Sequence, residues 1–207
     1  MHTKRLLCTI ARVPARGDHE ERRRDVSQAV WRVLAAKGFG GLTLRAVAAE
    51  MGSSTGLLTH YFPSKHELIK HALDVAMERT QNRARRAAGA EGLDGLRAAM
   101  LDVLPLTPDA TAMNRVWVSF WDPALGDEEL TAFEVWRYER WRGMLRPHVE
   151  AAVRLGQLPA TVDVDDVVVT AAAFTHGLVV QALFDPDRFP PARQETLLDR
   201  FLAQLNS

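Results

Sequence analysis

Cysteine is almost missing from this chain of 207 residues, Cys8 being the only one. No disulfide can form within the chain and no cysteine-rich metal site can be built, which fits a reducing compartment. Net charge is missing too, since 26 lysines and arginines face 26 aspartates and glutamates. No stretch approaches the roughly 20 apolar residues of a membrane span. The apolar run at residues 6–11 is short for a signal peptide, is interrupted by Arg12, and has no small-residue cleavage site after it. A cytoplasmic protein with no membrane partner is therefore expected. Strand patterns and internal repeats are absent. So are a nucleophile–base pair, a metal constellation and a glycine-rich phosphate loop, and no catalytic residue, metal or cofactor is expected.

What is present is an uneven distribution of charge. Residues 1–90 hold 16 basic and 8 acidic side chains, a net of +8, and residues 91–207 carry the compensating −8. A basic half suits a polyanion, and an acidic half must serve something else. Length allows one large domain or two small ones.

Residues 43–65, TLRAVAAEMGSSTGLLTHYFPSK, organise the basic half. Thr43 can cap a first helix by accepting an unpaired backbone N–H. Leu44, Val47, Ala48 and Met51 recur at helical spacing, and Gly52 can stop the helix in the left-handed conformation. Ser53 or Ser54 can cap a second helix from Thr55 to about Phe62, with Leu58, Tyr61 and Phe62 inward. Pro63 and Ser64 end it and start the next. A tight helix pair of this kind is a helix-turn-helix, whose second helix enters the DNA major groove. Thr55, Gly56, Leu57, Thr59 and His60 remain for the outer face, where they offer hydroxyls, an imidazole, a methyl-contacting group and room for close approach. Arg45 can meet guanine or a phosphate, and Thr43, Ser54, Tyr61 and Lys65 suit backbone phosphates. The bland reading of the same residues is a solvated helix pair in an all-α protein.

The residues themselves carry more than the pattern. The threonine-capped helix, the glycine turn and the His60-Tyr61-Phe62-Pro63-Ser64-Lys65 run resemble the DNA-binding domain of TetR-family transcriptional repressors, strongly over residues 22–73 and in outline beyond. Ser53 stands where that family usually has valine, and Thr59 where it often has tyrosine. Residues 54–62 look like the recognition helix of the choline-responsive repressors of the betaine pathway. The resemblance implies an all-α fold: a three-helix DNA-binding domain over residues 20–65, then a helical effector-binding and dimerisation domain over residues 66–207. It also implies a homodimer that binds double-stranded operator DNA and answers to a small-molecule effector, a cation in the choline-responsive members.

Before the motif, residues 1–19 read as a disordered basic tail or as an arm that tracks a minor groove. Residues 20–37 form a helix with Val26, Ala29, Val30, Val33 and Leu34 on one side, closed by Gly38. Phe39 and Leu42 plug the small core. Arg22, Arg23 and Arg24 sit poorly for the helix dipole and suit phosphates or a solvated face. After the motif, a helix at residues 64–86 packs Leu68, Ile69, Ala72, Leu73 and Ala76 on both halves and links them mechanically. Glu67 and His71 stand four apart, but no third metal ligand follows.

A domain boundary is expected near Gly89 and Gly92. Helices are then predicted over 93–104, 109–121, 127–155, 164–184 and 191–205, with Pro147 kinking or dividing the third of these. Trp117, Phe120 and Trp121 fall at helical spacing with Met113, and Trp136, Tyr138 and Trp141 follow. This stripe is either core or the wall of a small-molecule pocket. Aromatic faces attract quaternary ammonium groups by cation–π contact, and residues 116–121 resemble the tryptophan-bearing run of the choline-responsive subgroup. Met113, Trp117, Phe120, Trp121, Trp141 and His176 are the candidate effector residues, with Glu134 or Glu139 as further polarity.

The helix at 164–184 is apolar nearly all round and must be covered on every side. Val168, Ala172, Val179 and Leu183, with Leu198 and Phe201 of the last helix, are the expected dimer interface, a four-helix contact across a two-fold axis. Asp163, Asp165 and Asp166 resemble calcium ligands, although a cap with dipole-favoured acids accounts for them. Two other function classes stand beside the repressor: an all-α enzyme using the aromatic pocket, and an architectural DNA-binding protein without an effector.

Overall fold

The computed structural model describes residues 16–83, 86 and 89–205, with residues 16–20 as backbone only. Among them are nine helices and no strand. In chain order these are α1 Arg16–Lys37, α2 Leu44–Glu50, α3 Thr55–Tyr61, α4 Lys65–Gln81, α5 Gly92–Leu101, α6 Pro108–Leu125, α7 Glu128–Arg154, α8 Val164–Phe184 and α9 Pro191–Gln204. The all-α fold with a helix-turn-helix followed by a helical trunk is as the sequence suggests.

Boundaries differ where apolar periodicity is silent. The tail expected through residue 19 is helical from Arg16, because arginine and glutamate sustain a helix without an apolar stripe. Cys8 and the minor-groove arm lie outside the described residues. α4 ends at Gln81, with Asn82 as its C-cap, short of the expected residue 86. Pro147 does not divide α7, which runs unbroken for 27 residues, and α6 continues through Pro123 to Leu125. α8 corrects a further expectation. Its 21 residues are by length and composition alone enough to cross a membrane, and the scattered Thr170, Thr175 and His176 hid that. Here Val168, Ala171, Ala172, Leu178 and Val179 of this helix fill a protein core instead.

Two cores result. The first joins Val30 and Leu34 of α1, Val47 of α2, Leu58 of α3 and Leu68 and Ala72 of α4 to Val116, Trp117 and Phe120 of α6. The second is built from α5, α7, α8 and α9. α6 thus packs into the core of the N-terminal helices. The turn after α1 is hooked to it as well: the Phe39 N–H donates to Ser119 Oγ at 3.0 Å, and that hydroxyl donates to the Val116 carbonyl at 2.7 Å. Gly38 holds φ +63 there, and a methyl in its place would sit 2.7 Å from Ser119.

Candidate nucleic-acid interface and internal cavity

α2 begins as its sequence suggests, with Thr43 Oγ1 accepting the Ala46 N–H at 3.0 Å. It ends at Gly52, whose φ of +62 is a conformation that costs glycine nothing. The Gly52 and Ser53 N–H groups then return to the carbonyls of Ala49 and Ala48, satisfying the helix end. Ser54 is the N-cap of α3 by backbone conformation and makes no side-chain cap bond. Leu58 and Phe62 are buried and hold α3 on the first core. Arg32 of α1 pairs with Glu50 of α2 at 2.5 Å and fixes the other side.

That packing decides which side chains face out. Thr43, Arg45, Ser54, Thr55, Gly56, Thr59, His60 and Lys65 are exposed, whereas Leu57 and Tyr61 are half-buried. Eight of the ten residues singled out for DNA are therefore open to solvent. Thr59 donates its hydroxyl to the Gly56 carbonyl at 2.9 Å, leaving the oxygen as an acceptor. A methyl added at Gly56 would meet only Ser54 Oγ, at 3.9 Å. The fold itself does not require glycine at that point. The start of α4 is tied to the start of α7: His66 Nε2 lies 2.9 Å and Lys70 Nζ 3.0 Å from carboxylate oxygens of Glu129. His71 is bonded to Ser27 at 3.2 Å and packs on the Phe62 ring, a structural role for the histidine of the Glu67 and His71 pair. Asp163 Oδ1 accepts the N–H groups of Asp165 and Asp166 and caps α8, while Asp165 pairs with Arg146.

A cavity of about 90 Å³ lies between α4, the end of α5, α6, α7 and α8. Of the six effector candidates, Trp117, Trp141 and His176 line it. Phe120 does not: it is fully buried in the first core, 5.0 Å from the Phe39 ring and 5.9 Å from that of Phe133. Met113 also belongs to that core, with its sulfur 3.4 Å from Thr80 Oγ1. Trp121 borders a separate surface depression with Leu125, Val135 and Tyr138. Helical spacing correctly puts these residues on one helix. It does not say that α6 turns Phe120 toward α1.

Several lining residues escaped the sequence reading, namely Met77, Thr80, Asp102, Arg137, Arg140 and Met144. Arg137, Trp141 and Met144 stand at i, i+4 and i+7, so the face of Trp141 was itself the signal. Arg137 donates to Glu134 through Nε at 2.8 Å and Nη2 at 2.5 Å, and its guanidinium lies 4.6 Å from the Trp117 ring centre. Trp117 Nε1 donates to Thr80 Oγ1 at 3.1 Å, and Thr80 donates to the Ala76 carbonyl. The cavity wall is thereby bonded to α4. Asp102 is buried and accepts the Arg86 N–H at 3.0 and 3.2 Å. His176 packs edge-on against Tyr138 at 4.9 Å. Burial, and then the charge of Arg137, pull its pKa down to about 4, so the imidazole is neutral at pH 7. Burial and Glu134 push the Tyr138 phenol up.

The expected dimer residues divide by the same criterion. Val168, Ala172, Val179 and Leu198 point into the chain's own second core, and Leu183 and Phe201 are half-buried at its edge. Four of the six are therefore inaccessible to a partner. The exposed stripe of α8 runs instead through Val169, Ala173, Gly177 and Phe184, bordered by half-buried Val180.

Comparison with known proteins agrees with this architecture. Residues 28–72 match the family model of bacterial regulatory proteins of the tetR family, and residues 92–206 match that of the BetI-type transcriptional repressor, C-terminal. The chain is 28% identical over 178 residues to the HTH-type transcriptional regulator PksA of Bacillus subtilis, covering 85% of both. It is 30% identical over 117 residues to the HTH-type transcriptional regulator BetI of Paraburkholderia phytofirmans, covering 55% of this chain and 60% of that one. A regulator from Saccharomonospora viridis, solved in complex with choline, superposes with a TM-score of 0.77 at 20% identity over 89% of this chain and 96% of its own. These relatives are regulators and not enzymes. A helix-turn-helix, a helical trunk with a cavity and two family models over most of the length converge: the chain belongs to the TetR family of transcriptional regulators and carries the C-terminal domain of the BetI-type repressors.

Proposed function

We propose that the protein is a homodimeric cytoplasmic repressor that holds a palindromic operator and is released from it by a small molecule in the cavity. The observation that carries this reading is the connection between the two sites. Trp117 lines the cavity, bonds to Thr80 of α4 and shares a core with α1, α2 and α3. A ligand that moves Trp117 pulls on the helix that leads directly out of the recognition helix. Two copies would set their α3 helices in successive major grooves about 34–36 Å apart. An effector that prefers another separation lowers DNA affinity by its preference between the two states.

The dimer contact in this reading is the outer stripe of α8. Val169 and Phe184 are 46% and 81% exposed, large values for apolar residues in the middle and at the end of a long helix. Ala173 and Gly177 between them allow a second helix to come close. Leu183, Leu197 and Phe201 are half-buried at the edge of the second core. Thr43, Arg45, Ser54, Tyr61 and Lys65 would hold phosphates, and Thr55, Gly56, Leu57, Thr59 and His60 would face base edges.

A choline-like cation is one reading of the effector, favoured by the choline held by the Saccharomonospora relative and by the two tryptophans in the cavity wall. The operator side is tested by fluorescence anisotropy with the DNA upstream of the gene. Thr59→Ala and His60→Ala should weaken specific binding by roughly 1–3 kcal/mol per lost base contact while leaving the helical spectrum unchanged. Unaltered affinity would remove α3 from the reading surface.

A further inference from the structure

We propose that the cavity selects a small organic anion, a carboxylate on a short or flat apolar body, in place of a quaternary ammonium. This rests on reading the cavity as the effector site and names the class of molecule it takes.

Two observations carry it. First, the face of Trp117 that a cationic ligand would use is already covered by the Arg137 guanidinium at 4.6 Å. A second cation would have to share that face with a like charge that the paired Glu134 carboxylate offsets only in part. Second, the arginine has donors to spare. Glu134 accepts two of its N–H groups, while a guanidinium presents five in a planar fork matched to carboxylate oxygens.

The remaining charges point the same way. Arg140 also lines the cavity, and among the described residues Asp102 is the one lining carboxylate. That carboxylate is occupied by the Arg86 backbone N–H and lies 3.6 Å from the Arg86 guanidinium. His176 is neutral and adds no negative charge that would favour a cation. Met77, Val103 and Met144 supply the apolar wall, and the volume of about 90 Å³ limits the guest to a small molecule.

The test is titration calorimetry on the full chain with acetate, butanoate, benzoate and phenylacetate, with choline as the comparison. At least one carboxylate is expected to bind more tightly than choline. Arg137→Gln should weaken it by about ten-fold or more. Because Arg137→Gln strands Glu134, the double variant Glu134→Gln, Arg137→Gln is measured beside it and should lose the carboxylate while folding normally. Tighter binding of choline, no binding by any of the carboxylates, or carboxylate affinity unmoved by these variants would each overturn the proposal. Anisotropy with operator DNA separates the two levels. A carboxylate that binds through Arg137 without changing DNA affinity leaves the anion site standing and sinks the effector reading, whereas release by choline alone does the reverse.

Discussion

Replacing Phe120 by alanine should destabilise the whole molecule, DNA-binding helices included. The ring is fully buried and touches Phe39, in the turn after α1, and Phe133 of α7, at centroid distances of 5.0 and 5.9 Å. Removing a buried phenylalanine costs about 3–5 kcal/mol, counting the lost burial and the cavity left behind. At roughly 2–4 °C per kcal/mol for a chain of this size, the melting temperature should drop by on the order of 10 °C. The assay is urea unfolding followed by tryptophan fluorescence and by far-ultraviolet circular dichroism. Trp31 reports on α1, and Trp117, Trp121, Trp136 and Trp141 report on α6 and α7. Because α6 completes the core of the N-terminal helices, the transitions should coincide. A loss below about 1 kcal/mol, or a helix-turn-helix that melts separately from α6, would refute the shared core and with it the route from cavity to DNA.

The other predictions address the surface and the pH response. Lys65→Ala should reduce the slope of log affinity against log salt by about 0.9, one phosphate contact, measured by anisotropy across a salt series; an unchanged slope removes Lys65 from the phosphate set. Val169→Glu combined with Ala173→Glu should leave folded monomers in light scattering, whereas Val179→Glu, aimed into the core, should unfold the chain. Persistent dimers in the first variant would move the interface elsewhere. The pH response follows from His176, whose folded pKa of about 4 lies below its ordinary 6.5. The unfolded chain takes up the proton first, so stability is complete above pH 6.5 and declines as pH falls toward 4, by at most about 3 kcal/mol. His176→Gln should flatten chemical-denaturation profiles over that interval.

The helix-turn-helix is legible because its instructions are local: a capping threonine, a glycine at positive φ and apolar residues at helical spacing each act within one turn. The same holds for the Asp163 cap of α8. What resists reading is which neighbour a helix faces. Met113, Trp117 and Phe120 share one stripe, yet α6 crosses between two cores, so Phe120 meets Phe39 while Trp117 meets the cavity. α8 shows the same limit: its sequence is apolar on every side, and only the placement of α5, α7 and α9 decides that Val168 and Val179 turn inward while Val169 and Phe184 are left outside. Arg137 was missed for a related reason. An arginine in a charged helix reads as solvated; its pairing with Glu134 at i, i+3 lies within α7, and its contact with Trp117 exists only once α6 and α7 are packed.

Native mass spectrometry of the protein with a duplex carrying its upstream palindrome, with and without the cavity ligand, tests the central claim most directly. The account predicts two chains on one duplex, dissociating to a ligand-bound pair and free DNA when the ligand is added. A single chain per duplex, or a complex that keeps both DNA and ligand at undiminished affinity, would contradict it.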